Sequence, residues 1–125
     1  MKPGPWSASI RRMTRDEAHA LILSFPETVE ATSYGKPAYH AFGKFFTRIR
    51  RQDQSVVIGC VPYDERELLI ELDPATFHFT AHYKDYPIVL ARISAVEPDQ
   101  LRSFLTRQWR KNAPKTWLKK WEAEQ

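Results

Sequence analysis

The densest group of side chains able to bind anions lies in residues 43–51, which read GKFFTRIRR. Three arginines fall in four positions, and no acidic residue occurs between Ala31 and Gln52. Arginine suits phosphate because its planar guanidinium presents forked donors that match phosphate oxygens. The stretch therefore predicts either a surface that contacts a polyanion or a strand whose solvent face is basic.

A strand would divide these residues into two rows, because successive side chains point to opposite faces of a sheet. The row predicted to face the core contains Phe45, Thr47, Ile49 and Arg51. The row predicted to face solvent contains Lys44, Phe46, Arg48 and Arg50. An exposed Phe46 among these cations would favour contact with nucleobases by stacking or wedging. A buried Phe46 would instead favour an ordinary edge strand that its charges protect from aggregation.

A second basic element lies near the C-terminus, where seven bases and no acid occur between Leu101 and Trp121. Apolar residues at helical spacing predict the buried stripe of a helix over residues 98–112. Arg107, Arg110 and Lys111 point away from that stripe and are candidate phosphate contacts. Part of this charge has a structural explanation, because cations favour the C-terminal end of a helix.

Residues that commonly perform catalysis or bind metals are few and poorly spaced. The histidines His19, His40, His78 and His82 do not form a zinc-binding spacing. Cys60 is the single cysteine and lies in the apolar run VVIGCV, which predicts a small core residue in a reducing compartment. The sequence contains no phosphate-binding glycine loop and no nucleophile elbow. We therefore predict a protein without enzymatic activity, cofactor or metal.

The elements that must position these side chains alternate between helical and strand patterns. Thr14 and Glu17 form a capping box at the start of a helix that Pro26 ends. Short strands follow, with a type II′ turn predicted at Gly43-Lys44. The segment YDERELLIELD predicts a helix that buries Leu68, Leu69 and Leu72. Two more strands, the helix over 98–112 and a last helix docked through Trp117 and Trp121 complete the chain.

The order of these elements predicts an α+β fold in which helices pack on one face of an antiparallel sheet. Residues 1–12 lack periodicity and are predicted to be a flexible tail, and residues 13–125 a single domain. The chain has 125 residues and a net charge of +4. It contains no apolar run of the roughly 20 residues that a membrane helix needs. We expect a cytoplasmic monomer that does not associate with membranes.

Four short motifs give the chain a resemblance to the MmcQ/YjbR family over roughly residues 13–113. They are Gly35-Lys36-Pro37, Gly43-Lys44 with its following Phe45, Asp73-Pro74, and His82-Tyr83 with Pro87. The resemblance implies a small bacterial cytoplasmic protein with a double-wing fold similar to the CyaY-like arrangement. It also implies DNA binding, with hairpin wings around Gly43-Lys44 and Lys84-Asp85, and it implies no catalytic residue.

Two hypotheses about function follow from the residues and the resemblance. The leading hypothesis is a DNA-binding domain of low sequence specificity, which contacts phosphates through the basic hairpin and the basic C-terminal helix. Its candidate residues are Lys36, Lys44, Phe46, Arg48, Arg50, Arg51, Arg107, Arg110 and Lys111. The alternative is a module that binds a protein or a small anion in a cleft between sheet and helices. That cleft would lie near Tyr34, Tyr39, His82 and Tyr83.

Overall fold

A computed structural model describes residues 13–125, so the predicted tail over residues 1–12 lies outside the described part of the chain. Within residues 13–125 there are four α-helices: α1 (Arg15–Leu23), α2 (Tyr63–Leu72), α3 (Pro98–Asn112) and α4 (Lys115–Ala123). The capping box at the start of α1 is confirmed, because Thr14 and Glu17 each bond the other's backbone N–H.

The first sheet has three antiparallel strands in the order β1 (Thr28–Ser33), β2 (Lys36–Ala41) and β3 (Lys44–Thr47). Its two connections are the pairs Tyr34-Gly35 and Phe42-Gly43, and all four residues have positive φ. Positive φ at both central positions is the signature of a type I′ turn. The predicted type II′ turn at Gly43-Lys44 is therefore wrong in type and displaced by one residue. The turn is at Phe42-Gly43, and Lys44 begins β3.

The second sheet has four antiparallel strands in the order β4 (Ile49–Arg50), β5 (Ser55–Ile58), β7 (Val89–Arg92) and β6 (Phe77–His78). All four residues of β5 are buried, because this strand lies between β4 and β7 and beneath α3. The α+β class is confirmed. The strands form two sheets, however, rather than the single sheet that the sequence suggested.

The boundary between the sheets falls inside the stretch that opened the sequence analysis. The ladder between β2 and β3 pairs Tyr39 with Thr47 and His40 with Phe45, so Phe46 has no opposite residue. This β-bulge breaks the alternation of side chains. Phe46 and Thr47 are consequently both buried, whereas Phe45 is exposed, and the predicted solvent face of Phe46 is wrong.

The core forms where α1 and α3 pack against the strands. Leu101, Phe104, Leu105 and Trp109 are buried on α3, as the periodicity predicted. Phe46 contacts Phe25 edge-to-face, with 5.3 Å between the ring centroids. The predicted docking of α4 is confirmed, because Trp117 and Trp121 lie 5.9 and 5.1 Å from the ring of Trp109.

Helix α2 differs from its prediction in the residues it buries. Leu68 and Leu72 are 54% and 73% exposed, and Leu69 is only partly buried. The buried residue of this helix is Arg66. Backbone carbonyls accept hydrogen bonds from its guanidinium, so this charged side chain can be buried. The exposed leucines of the helix face solvent instead.

The second predicted wing, around Lys84-Asp85, does not form an extended hairpin. Strand β6 ends at His78, and residues 79–88 form a loop that contains a 3₁₀ turn over Ala81–Tyr83. His82 lies in this turn and His78 in β6, so the two histidines are on different elements. Within residues 13–125, every helix is too short or too polar to cross a bilayer.

A cationic cleft between the two sheets

A concave cavity of about 480 Å³ lies where the first sheet meets the second. Five cationic side chains line it, and none of the described lining residues is acidic. These cations are Arg15, Lys36, Arg48, Arg50 and Arg51. A cavity that is lined by positive charges and has low-dielectric walls concentrates the electric field and attracts anions.

Arg48 is held in a fixed position at the break between β3 and β4. Its Nε donates to the carbonyl oxygen of Pro37 at 3.1 Å, and its Nη2 donates to that of Ser33 at 2.9 Å. The guanidinium also lies 5.7 Å from the ring centroid of Phe45. Because all of these partners are neutral, the side chain is ordered while its positive charge stays uncompensated.

Arg50 is ordered too, but part of its charge is balanced. Its guanidinium lies 5.8 Å from the ring centroid of Tyr83 and donates to the hydroxyl of Thr80 at 3.4 Å. Its Nη2 lies 3.7 Å from the carboxylate of Asp53. Lys36, Arg51 and Arg15 are exposed, and no ion pair joins them to a carboxylate of the described residues.

A second cavity of about 740 Å³ adjoins the first and shares Lys36, Arg48, His82 and Tyr83 with it. The shared residues make the two cavities halves of one cleft. Aromatic and aliphatic side chains dominate the walls of this second half. They are Tyr34, Phe45, Val57, Tyr86 and Ile88, together with the polar Ser33 and His40.

One wall of the cleft is the loop over residues 79–88, which Arg66 holds from behind. Its Nη1 lies 3.1 Å from each of the carbonyl oxygens of Tyr83, Tyr86 and Ile88. Its Nη2 donates to the carbonyl of Lys84 at 2.9 Å. The loop contains no strand, and Arg66 anchors it at Tyr83 and at the residues that follow.

The structure groups only part of the predicted phosphate-binding set. Lys36, Arg48, Arg50 and Arg51 line one cavity, and their contact with DNA stays a prediction. Lys44 does not join them, because it pairs with Ala41 at the opposite end of β2 from Lys36. The predicted straight row through Lys44, Arg48 and Arg50 therefore does not exist.

The basic C-terminal helix is also separate from the cleft. Arg107 forms a two-bond ion pair with Glu65, at 2.7 and 2.9 Å. Arg110 pairs with Glu122 at 2.7 Å. The hydrogen bonds with Arg107 lower the pKa of Glu65 and raise the pKa of Arg107. Two of the three predicted helix cations are thus already paired, and Lys111 lies exposed outside the cleft.

Phe46 is wrong as a site residue, because it is 1% exposed and packs in the core. A buried Phe46 cannot stack on a nucleobase, so its burial favours an ordinary edge strand for β3 itself. The aromatic side chain that the bulge leaves near the cations is Phe45, which lines the apolar half of the cleft. Arg48, Arg50 and Arg51 nevertheless line the same cavity, because the strand breaks at Arg48 and the residues after it face that cavity.

Tyr34, His82 and Tyr83 of the alternative cleft line the second cavity together, and a role for this cavity in binding stays a prediction. It lies between the two sheets rather than between sheet and helices. Tyr39 is not part of it, because this ring is buried and its hydroxyl hydrogen-bonds Nδ1 of His19 at 2.8 Å. Burial, aided by the nearby Glu30, raises the pKa of Tyr39.

Sequence reasoning missed Arg15 and Arg66. Arg15 lies in the first turn of α1, far along the chain from the other cations, and no local pattern links it to them. Arg66 sits in an acidic helix, where an arginine normally indicates a solvated face.

Cys60, predicted to be in the core, is half-buried with φ +60° and donates to Gln108 at 3.4 Å.

Within residues 13–125, Ser55, His78 and Asp53 form a cluster that resembles a catalytic arrangement. Nε2 of His78 lies 2.9 Å from the hydroxyl of Ser55 and 3.7 Å from the carboxylate of Asp53. A triad needs the acid on the other ring nitrogen, and Ser55 is fully buried. Burial, with a smaller effect of Arg92, lowers the pKa of His78. The cluster therefore has the geometry of a structural network.

Residues 13–125 contain no group of three or more His, Cys, Asp or Glu side chains placed to hold a metal ion. Searches of curated proteins and of solved structures gave no match to the chain. The sequence model of the YjbR family matches residues 23–111, which include the β2–β3 hairpin, most of α3 and every described lining residue of the two cavities except Arg15. Because this match covers well over half of the chain, the protein belongs to the YjbR family, as the motifs from Gly35 to Pro87 implied.

Proposed function

We propose that this protein is a DNA-binding domain of low sequence specificity, without enzymatic activity, and that the cationic cleft is its DNA-contacting surface. The observation that carries the proposal is the convergence of five cations on one concave cavity whose described lining holds no carboxylate. Phosphates supply most of the affinity in binding of this kind, because they are present whatever the sequence.

The two kinds of cation in the cleft suit different tasks. Arg48 is already fixed by neutral carbonyls, so little side-chain entropy is lost when it meets a phosphate. Lys36 and Arg51 are exposed and unpaired among the described residues, so they can follow a phosphate chain. This division favours a contact that is positioned at one point and adaptable around it.

The number of cations sets the expected response to salt. Each neutralised phosphate lowers the log–log slope of affinity against salt by about 0.9 for a duplex and about 0.7 for a single strand. Five contacts would thus give slopes of about −4.5 and −3.5 at most. The C-terminal helix adds little to these values in the proposal, because Arg107 and Arg110 are already paired.

Fluorescence anisotropy with duplex and single-stranded DNA, between about 50 and 200 mM salt, tests this proposal. The double variant Lys36→Gln/Arg51→Gln removes two exposed cations of the cleft. It should weaken binding and reduce the size of the slope by about 1.4 to 1.8. The matched control Lys119→Gln/Lys120→Gln removes the same charge from α4 and should leave both values unchanged.

Two results would refute the DNA proposal. One is the absence of binding to either form of DNA at about 50 mM salt. The other is an equal loss of affinity in the cleft variant and the α4 control, which would show that only net charge matters. Circular dichroism on both variants checks that the fold is intact.

A second candidate function is the binding of a small phosphate-bearing ligand in the same cleft. It is favoured by the concavity of the site and by the presence of Tyr34, His82 and Tyr83 beside the cations. A thermal-shift titration with inorganic phosphate and with nucleoside monophosphates, at constant ionic strength, tests it. Saturable stabilisation that Arg48→Gln abolishes, without binding to DNA, would favour this candidate.

A further inference from the structure

The cleft has two chemically different halves that meet at shared residues. Lys36, Arg48, His82 and Tyr83 line both the cationic cavity and the larger cavity beside it. A ligand that fills the whole cleft would therefore place anionic groups in one half and apolar, planar groups in the other. A nucleotide has this division between its phosphate and its base.

The aromatic rings of the second half are left in contact with water. Tyr34 is fully exposed at the tip of the β1–β2 turn, and Tyr86 and Phe45 are also exposed. Aromatic rings beside cations are the usual platform for unpaired bases, because every base has a face that can stack. The polar atoms of Ser33 and His40 lie in the same half and can meet the edge of a base.

The volume and the walls fit a base better than a duplex. About 740 Å³ falls within the range of cavities that enclose small ligands, so it can accept a nucleobase with its sugar. In a duplex the bases are paired and stacked inside the helix, so a base face can stack on a protein ring only after the base is extruded. A strand with unpaired bases can fill both halves at once.

We propose that the cleft binds single-stranded DNA, with phosphates against the cationic half and an unpaired base inserted among Tyr34, Phe45 and Tyr86. This inference rests on the proposed function, because it assumes that the cations contact DNA phosphates. It adds a preference for the unpaired strand, whose source is the aromatic half. Duplex DNA binds only through the cations and hence more weakly.

Three DNA probes of the same length separate the two halves. They are a single strand of about 12 nucleotides, the corresponding duplex, and a single strand with abasic positions that keeps every phosphate. The single strand should bind about 10-fold more tightly than the duplex, since stacking of one base supplies an effect of this order. The abasic strand should lose this advantage while its salt slope stays the same.

The protein variant that tests the aromatic half is Tyr34→Asn/Tyr86→Ala. Asparagine is chosen for position 34 because it tolerates the positive φ of 53° in the turn. The variant should lose about 10-fold affinity for the single strand and none for the duplex. The control Tyr34→Phe/Tyr86→Phe keeps both rings and should bind as the unchanged protein does.

The outcomes distinguish this inference from the proposed function. Binding of the duplex or of the abasic strand as tightly as the normal single strand, with a steep salt slope, overturns the single-strand preference alone. Unchanged binding in Tyr34→Asn/Tyr86→Ala also overturns it. Absence of binding to all three probes refutes the proposed function, and the inference then fails with it.

Discussion

The replacement Arg66→Met should release the loop over residues 79–88, which forms one wall of the cleft. Nη1 of Arg66 lies 3.1 Å from three carbonyl oxygens, and Nη2 donates to a fourth at 2.9 Å. Both hydrogens of Nη1, and one of the two on Nη2, can donate at once, which gives three full hydrogen bonds. The guanidinium also lies 4.0 Å from the ring centroid of Phe79. Methionine keeps the apolar stem and removes all of these donors.

The expected loss in the free energy of unfolding depends on what replaces the lost hydrogen bonds. Hydrogen bonds from charged donors contribute about 1.5–3 kcal/mol each, which sets an upper limit near 4.5–9 kcal/mol for three. The loop over residues 79–88 is mostly exposed, so its freed carbonyls regain water and much of this sum is returned. We therefore expect a loss of about 3 kcal/mol in the free energy of unfolding.

Urea denaturation measures the loss as a lower midpoint at an unchanged slope. Hydrogen exchange should accelerate first at the hydrogen-bonded loop amides, those of Tyr83, Lys84, Tyr86 and Ile88, because the loop loses its anchor before the core opens. Arg66→Lys is the matched comparison, since it keeps the charge but cannot span the four carbonyls. A destabilisation below about 0.5 kcal/mol with unchanged exchange would refute the anchoring role.

Three further changes test the structure elsewhere. The pKa of His78 is lowered from about 6.5, so folding loses stability as pH falls below that value; His78→Gln should remove this loss in thermal melts between about pH 5 and 8. A decline that persists in the variant would contradict the role of His78. The pKa of Glu65 is lowered by Arg107, so its contribution is present above pH 4.5 and is lost below it. Glu65→Gln should cost about 0.5–1 kcal/mol at neutral pH and nothing in acid, as urea denaturation would show. The buried Asn112 donates to carbonyls of Ala41 and Phe45, and Asn112→Ala should cost about 1–3 kcal/mol by the same assay. Full stability of that variant would show that the hairpin does not depend on the amide.

Periodic elements were predictable from the sequence because their signals are local. The buried face of α3 follows from apolar residues at helical spacing, and the start of α1 from the Thr14–Glu17 capping box. The directions of the side chains from Phe45 to Arg48 were not predictable. One bulge residue reverses the alternation, and its position depends on the pairing of β3 with β2 rather than on the local sequence.

The cleft itself was only partly predictable. Lys36, Arg48, Arg50 and Arg51 were found because they are close in sequence and free of nearby acids. Arg15 joins them through tertiary packing, and Arg107 leaves the set because Glu65, 42 residues earlier, faces it in the fold. Charge segregation along a chain thus indicates cations, but partners on other elements decide which of them stay unpaired.

The cluster around Trp109 gives the protein its own optical probe. Three of the four tryptophans lie in this cluster, and the rings of Trp117 and Trp121 stack with 6.0 Å between their centroids. Indoles this close couple electronically, so near-ultraviolet circular dichroism should carry a signal specific to the docked α4. The cleft at the far end of β2 is lined by tyrosines instead. This circular dichroism signal therefore reports detachment of the last helix, and no tryptophan of residues 13–125 lines the cleft.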